Sequence, residues 1–148
     1  MAVRTTTAPG RLTFPHVALA LQTLALLFQS VTAGLLLTSS YGAMLHDVGS
    51  RVMYGASMLY VLAAVLAWRP GGGSPRPVLY ATGFLVLASV QVVLGITHQP
   101  TLHVPLGVVM FGLSLVALAL APARHRTLAR AEAEAPPRTR GVASRQPA

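Results

Sequence analysis

Four long apolar stretches are the feature that most limits what this chain can fold into. Residues 14–38, 44–68, 78–97 and 102–121 contain at least 20 residues each and very few charges. About 20 helical residues are needed to cross the ~30 Å hydrocarbon core of a bilayer. The composition agrees, because 53% of the 148 residues are hydrophobic and only 9% are charged. Since no alternating strand pattern is present, we predict an all-α integral membrane protein.

The connections between these stretches predict how the helices are arranged. The segments 39–43 and 98–101 are short, so the helices that they join must be antiparallel neighbours. The segment 69–77 is rich in glycine and proline, which predicts a break between two helical hairpins. The simplest architecture is therefore an up-down-up-down four-helix bundle.

The chain divides into three parts on this pattern. The transmembrane domain covers residues 14–122, and residues 1–13 form a flexible lead. Residues 123–148 carry many arginines and no apolar face, so we expect a disordered basic tail. Within that tail, helix formation is favoured only near 124–134.

The distribution of arginine predicts the orientation in the membrane. All eleven basic residues are arginines, and they lie in the two terminal segments, in the middle loop and at position 51. The positive-inside rule then places both termini and the middle loop in the cytoplasm. Arginine without lysine is typical of bacteria with GC-rich genomes. We therefore expect the protein to lie in the cytoplasmic membrane of a bacterium. The net charge of +8 is thus a topology signal, and we expect a lipid bilayer and no nucleic acid as partner.

A cleaved signal peptide is an alternative reading of the first stretch, because Val31, Thr32 and Ala33 resemble a cleavage site. The apolar run is longer than the core of a signal peptide. Cleavage there would also destroy the four-helix pattern, so we favour a retained first helix.

An internal repeat relates the two hairpins. Residues 45–57, LHDVGSRVMYGAS, return as residues 102–114, LHVPLGVVMFGLS, with Leu, His, Val, Met, Gly and Ser at matching places. Each copy opens the second helix of its hairpin. We therefore predict two equivalent hairpins related by a pseudo-twofold axis along the membrane normal.

The repeated histidines are the strongest candidates for chemistry. His46 precedes Arg69 by 23 residues, and His103 precedes Arg124 by 21. At 1.5 Å per residue, both lie about 32–34 Å from the cytoplasmic boundary. Two imidazoles at one depth on opposing helices match the axial ligand set of a heme. We therefore predict that His46 and His103 bind the iron of heme b near the outer surface.

Other residues on the histidine face are candidates for the heme pocket. Ser50 and Gly107 follow the two histidines by four residues, and their small size would leave room for a flat macrocycle. Met53 and Met110 follow by seven residues and could pack on the ring edge. Methionine at helical spacing is also an ordinary core residue.

Three polar residues inside the spans have more than one reading. Arg51 pairs either with Asp47, four residues earlier, or with a heme propionate near the outer leaflet. Gln29 and Gln91 are buried amides in the helices that precede the two histidine helices. They make interhelical hydrogen bonds, orient a ligand histidine or bind a quinone.

A different metal site is an alternative. His98 lies five residues before His103, so His98, His103 and His46 together could bind copper or zinc. The spacing is not a recognised metal motif.

The residues around the histidines resemble a known family. The segment QVVLGITHQPTLHVPLGVVMFGLSL is similar to the last two helices of one half of a heme A synthase, where a Gln-x-x-x-Gly stretch precedes an outer loop and a ligand histidine opens the next helix. The segment FQSVTAGLLLTSSYGAMLHDVGSR resembles the matching first pair. The resemblance implies that His46 and His103 are the axial ligands.

The chain also departs from that family. It has one half only, and it lacks the outer-loop glutamate and cysteine of the catalytic half, since Glu132 and Glu134 lie in the tail. Heme ligation therefore carries over to this chain, whereas heme hydroxylation does not.

The expected function is a small membrane b-type heme protein for electron transfer or for support of a redox or heme-handling complex. Its partner would be a membrane redox protein or a second copy of the chain. Two strong axial ligands leave no open iron position, which argues against catalysis unless one histidine is displaceable or two copies form a synthase-like pair. The alternative is a heme-free accessory or assembly subunit of a membrane complex.

Overall fold

The computed structural model of the protein describes residues 13–70 and 72–134, with side-chain surroundings up to residue 121. Its helices are α1 (Phe14–Leu35), α2 (Gly42–Trp68), α3 (Arg76–Ile96) and α4 (Pro100–Glu134). Each contains a stretch long and apolar enough to cross a membrane. For this part of the chain, the prediction of an all-α protein with four spans is confirmed.

The helix ends differ from the predicted boundaries by a few residues. Helix α1 ends three residues early, because residues 36–38 form a turn. Helices α2, α3 and α4 each begin two residues early, and α4 continues to Glu134, beyond the predicted end of its span. Pro77 and Pro100 explain two of these early starts, since proline is well accommodated in the first turn of a helix. The predicted lead and tail lie outside the described residues over 1–12 and 135–148.

The four helices form a square bundle. Helix α1 packs against α2 and α4, and helix α3 packs against the same two helices. Within the described residues, neither diagonal pair, α1 with α3 or α2 with α4, reaches packing distance. The two helices that carry the repeated histidines, α2 and α4, thus stand across a diagonal of the square.

Alanines make up half of the twelve buried apolar residues of the described bundle. Five alanines are 1% exposed or less: Ala18, Ala63, Ala64, Ala81 and Ala88. Large apolar side chains point outward instead, as at Leu24 (61% exposed) and Val108 (67%). This pattern is the reverse of a water-soluble core. It fits a bilayer, where lipid is as apolar as leucine and helices associate through the close approach of small residues.

The two copies of the repeat present matching positions to the core. Met53 and Met110 are both buried, as are Ser57 and Ser114. Gly55 and its counterpart Gly112 both face open space. This matched burial agrees with two equivalent hairpins, while the pseudo-twofold axis itself stays a prediction.

The turn between α3 and α4 has a defined geometry. His98 has φ of 51°, in the left-handed region. Its N–H donates to the Gly95 carbonyl at 3.2 Å, and the N–H of Gln99 donates to the Leu94 carbonyl at 2.9 Å. These bonds form a Schellman motif, in which glycine usually holds the position of His98. The turn brings the start of α4 directly back against the end of α3.

Replacing His98 by glycine should stabilise the protein. A residue with a Cβ pays about 1–2 kcal/mol in the left-handed conformation, and the greater chain entropy of glycine offsets part of that gain. We expect His98→Gly to raise the thermal midpoint by about 2 to 4 °C and His98→Val to lower it, as measured by differential scanning fluorimetry in detergent. A lower midpoint for His98→Gly than for wild type would contradict this assignment.

Candidate functional site

The structure brings His46 and His103 together at one end of the bundle. Their ring centroids are 6.2 Å apart, and the ring planes are inclined by 70°. Both side chains are half-buried. Because α2 and α4 stand across the diagonal, the two imidazoles bridge helices whose backbones do not pack against each other.

The ring separation matches the spacing of two imidazoles on one metal ion. A histidine nitrogen lies about 2.0–2.1 Å from a bound transition metal. With C–N bonds near 1.33 Å, each imidazole atom lies about 1.1 Å from the centre of its ring. Two rings on opposite sides of one ion would therefore have centroids about 6.3 Å apart. The observed 6.2 Å is close to that value, and it also lies within the ordinary range of an edge-to-face contact between two rings.

The His103 ring is oriented by helix α3. Its Nδ1 lies 3.0 Å from the carbonyl oxygen of Gln91. A carbonyl only accepts hydrogen bonds, so Nδ1 carries the proton and Nε2 has a free lone pair. The ring also packs beside Gly95, where an added Cβ would lie 3.4 Å from the His103 Cε1 atom. The last turns of α3 therefore fix both the tautomer and the position of this imidazole.

The His46 ring is oriented by helix α1. Its Nδ1 lies 3.1 Å from the hydroxyl of Thr32, a fully buried residue. That hydroxyl is also 3.1 Å from the Gln29 carbonyl oxygen and 3.2 Å from the Gln29 Oε1. Both Gln29 atoms accept, so the single Thr32 proton goes to Gln29 and the His46 Nδ1–H donates to Thr32. The His46 ring also interacts with the Gln29 backbone.

Both histidines are thus in the same chemical state. Each Nδ1 donates to the preceding helix of its own hairpin, and among the described residues neither Nε2 has a hydrogen-bond partner. A neutral imidazole with a free Nε2 and a bonded Nδ1 is the form in which histidine usually binds metals. The site can therefore offer two nitrogen ligands to one ion.

The two predicted glutamines pack against glycines of the histidine helices. An added Cβ at Gly49 would lie 2.3 Å from the Gln29 Oε1, and one at Gly107 would lie 2.8 Å from the Gln91 Nε2. The space beside Gly107, predicted to accommodate a macrocycle, is thus taken by the Gln91 amide. The Oε1 of Gln91 is buried without a hydrogen-bond partner.

The methionines lie deeper in the bundle than the histidines. Met53 and Met110 are 4% and 0% exposed and belong to one apolar cluster with residues of α1 and α3. They are seven residues from the histidines, which corresponds to about 10 Å along each helix. The two methionines thus form an apolar layer between the histidine pair and the middle of the bundle.

Neither Arg51 nor Ser50 makes a polar contact with the histidine pair. The Arg51 guanidinium is 2.9 Å from the Asp47 carboxylate, the intrahelical alternative predicted above, and its side chain is 78% exposed. The Ser50 hydroxyl donates to the Asp47 carbonyl at 2.7 Å. Both residues therefore serve the local structure of α2 near its first turns.

The three-histidine copper or zinc site is wrong. Within the described residues, no group of three histidine, cysteine or acidic side chains is close enough to bind one metal ion. His98 is exposed, and its role lies in the turn after α3.

Sequence reasoning missed Thr32 and Gly49. Thr32 lies three residues after Gln29, on the same helix face, and a threonine inside an apolar span is a weak signal for a buried hydrogen bond. Gly49 lies three residues after His46, and the closeness of Gln29 and Phe28 to its position gives it a reason to be glycine. Neither role was readable without knowing which helices pack together.

No family model matches the chain, and no curated protein or solved structure is similar to it.

Gly49→Ala should destabilise the protein, because its Cβ would overlap Gln29 and approach the Phe28 ring to 3.0 Å. We expect a loss of about 1–3 kcal/mol in the free energy of unfolding, the usual cost of overpacking. Gly55→Ala is the matched control on the same helix, since nothing lies within 4 Å of its position. It should be neutral or stabilise the helix by up to about 1 kcal/mol. Equal thermal midpoints for the two variants would contradict this packing.

Proposed function

We propose that the protein is a small integral membrane cytochrome of the b type, with His46 and His103 as the two axial ligands of one heme. The observation that carries the proposal is the pair of imidazoles on α2 and α4, 6.2 Å apart, each with its Nδ1 engaged by the preceding helix. Its role is electron transfer, or support of a redox or heme-handling complex, with a membrane redox protein or a second copy as partner.

The arginine distribution supports a location of the proposed site near the outer surface of a bacterial cytoplasmic membrane. The loops at the histidine end contain no basic residue, whereas Arg69 and Arg76 lie at the other end of the bundle. The Arg69 guanidinium lies over the Trp68 ring, 4.9 Å from its centroid. Tryptophan and arginine together are typical of a cytoplasmic membrane boundary.

The residues present fit a heme in their donor chemistry. A bound heme would supply one-electron exchange at its iron. The Gln91 carbonyl and the Thr32 hydroxyl hold the two ring orientations and make each Nε2 a better donor, as outer hydrogen-bond partners of ligand histidines generally do. If both histidines bind the iron of a heme, they would leave it no position for a substrate, which would suit the site to electron transfer rather than to catalysis.

The sequence resemblance to one half of heme A synthase, which rests on short motifs alone, agrees with this proposal. Gln91 and Gly95 form the Gln-x-x-x-Gly stretch of that similarity. These are the two α3 residues that contact His103, one by a hydrogen bond and one by leaving room for the ring. A single half provides one such histidine pair per chain.

An optical spectrum of the purified full-length protein, produced with ample heme, tests the proposal. We expect the reduced protein to show sharp alpha and beta bands of a low-spin b heme. His46→Ala and His103→Ala should each abolish these bands or convert the heme to a high-spin form, because each removes one axial nitrogen.

His98→Gly is the matched control, since it removes a histidine at the same end of the bundle but outside the pair. Its spectrum should equal that of wild type. A wild-type protein that contains no heme and takes up no added hemin would contradict the proposal and favour a heme-free accessory subunit.

Thr32→Val should weaken heme binding while leaving the fold intact. Valine keeps the shape of threonine but removes the hydroxyl that receives the His46 Nδ1–H. Loss of such an outer partner typically costs about 10- to 100-fold in affinity. Hemin titration followed by absorbance should show this loss of affinity as an increase in Kd. Thr32→Ser, which keeps a hydroxyl, should restore the wild-type Kd. An unchanged Kd for Thr32→Val would show that the hydroxyl does not support the ligand.

A further inference from the structure

A layer of buried polar side chains lies in the middle of the bundle. We call it the central polar layer, and it consists of Gln22, Thr23, Ser57 and Ser114, all 5% exposed or less. Ser57 and Ser114 each follow a repeated histidine by 11 residues, or about 16 Å along the helix. The layer is thus separate from the histidine pair and does not depend on the function proposed for it.

Packing on both sides fixes the position of this layer. On one side, Ala18 and Leu19 of α1 cluster with Tyr60 of α2. On the other side, Ala25 and Leu26 of α1 cluster with Met53 of α2 and Met110 of α4. Gln22 and Ser57 fall between the two clusters along their helices, and Thr23 contacts Ser114 directly. A polar slab from α1, α2 and α4 therefore separates two apolar clusters.

The hydroxyl protons of the layer are already used. Thr23 donates to the Leu19 carbonyl at 2.8 Å, so the 2.7 Å contact with Ser114 is a bond that Ser114 donates. Ser57 donates to the Met53 carbonyl at 3.0 Å. The oxygens of Ser57 and Ser114 keep free lone pairs, because a hydroxyl can accept as well as donate.

The Gln22 amide is unsatisfied at both ends. Its side chain is 1% exposed, and neither Nε2 nor Oε1 has a hydrogen-bond partner. A buried amide without partners costs several kcal/mol in an apolar medium, and the bilayer supplies no water from outside. The layer therefore has an unmatched donor, the Gln22 Nε2, and several unmatched acceptors.

We propose that the central polar layer binds internal water, held by the Gln22 amide and the hydroxyl oxygens of Ser57 and Ser114. A water molecule can accept a hydrogen bond from the Gln22 Nε2 and donate hydrogen bonds to the hydroxyl oxygens of Ser57 and Ser114. Buried water usually has two to four such polar partners. None of the four side chains is ionisable, so a neutral ligand fits and an ion does not. The bound water joins α1, α2 and α4 at mid-membrane.

Magic-angle-spinning NMR on the full-length protein in lipid bilayers tests this site by polarisation transfer from water to the glutamine side-chain amides. The chain has five glutamines, and only Gln22 follows a leucine. Carbonyl-labelled leucine with ¹³C,¹⁵N-glutamine therefore identifies the Gln22 backbone amide without any substitution, and carbon correlations along the glutamine side chain connect that signal to the side-chain amide. We expect transfer to the Gln22 amide although its side chain is buried from the outside.

Two serine variants form a matched pair for the same experiment. Ser57 and Ser30 each donate to the carbonyl four residues earlier at 3.0 Å, but Ser30 faces outward. Ser57→Ala should reduce the transfer to Gln22 several-fold, whereas Ser30→Ala should leave it unchanged. No transfer to Gln22 in the wild-type protein, or equal transfer in both variants, would overturn the proposal.

Discussion

The bilayer imposes the constraint on which the rest of this structure depends. Without water, every backbone group of a span must be satisfied within its helix, and helices gain little from burying large apolar residues against each other. The core accordingly contains alanines such as Ala63 and Ala81 beside a few larger side chains, while many leucines and valines lie on the outside of the bundle. Small residues draw neighbouring helices together around a square. The diagonal helices α2 and α4 stay apart, so long side chains such as the two imidazoles must span the gap.

Each hairpin supplies one complete half of the histidine site. In the first hairpin, Thr32 and Gln29 of α1 orient His46 of α2; in the second, the Gln91 carbonyl of α3 orients His103 of α4. The supporting bond in each case comes from the helix just before the histidine, across a short turn. Packing the two hairpins together then brings the two imidazoles to one end of the bundle, with ring centroids 6.2 Å apart. Duplication of one such hairpin would create a pair of histidines, each supported by the helix before it, in a single step.

Apolar length and the repeated histidines were readable from the sequence, because hydrophobic length and spacing along a helix follow from local pattern alone. The helix ends were not, since they depend on turns such as the one that places His98 in the left-handed region. The supporting residues were also out of reach: Gly49 matters only because Gln29 lies against it, and Gly107 receives the Gln91 amide. From the sequence, Asp47 and a heme propionate were equally reasonable partners for Arg51. The structure shows the ion pair with Asp47, at a short distance.

The most direct test is near-infrared magnetic circular dichroism, combined with electron paramagnetic resonance, on the oxidised heme-loaded protein. If His46 and His103 both bind the iron, the charge-transfer band will have the energy of bis-imidazole ligation. Ring planes inclined by 70° should in addition give a low-spin signal of large g anisotropy. A band at the energy of histidine–methionine ligation would assign Met53 or Met110 to the iron and contradict the paired-histidine site.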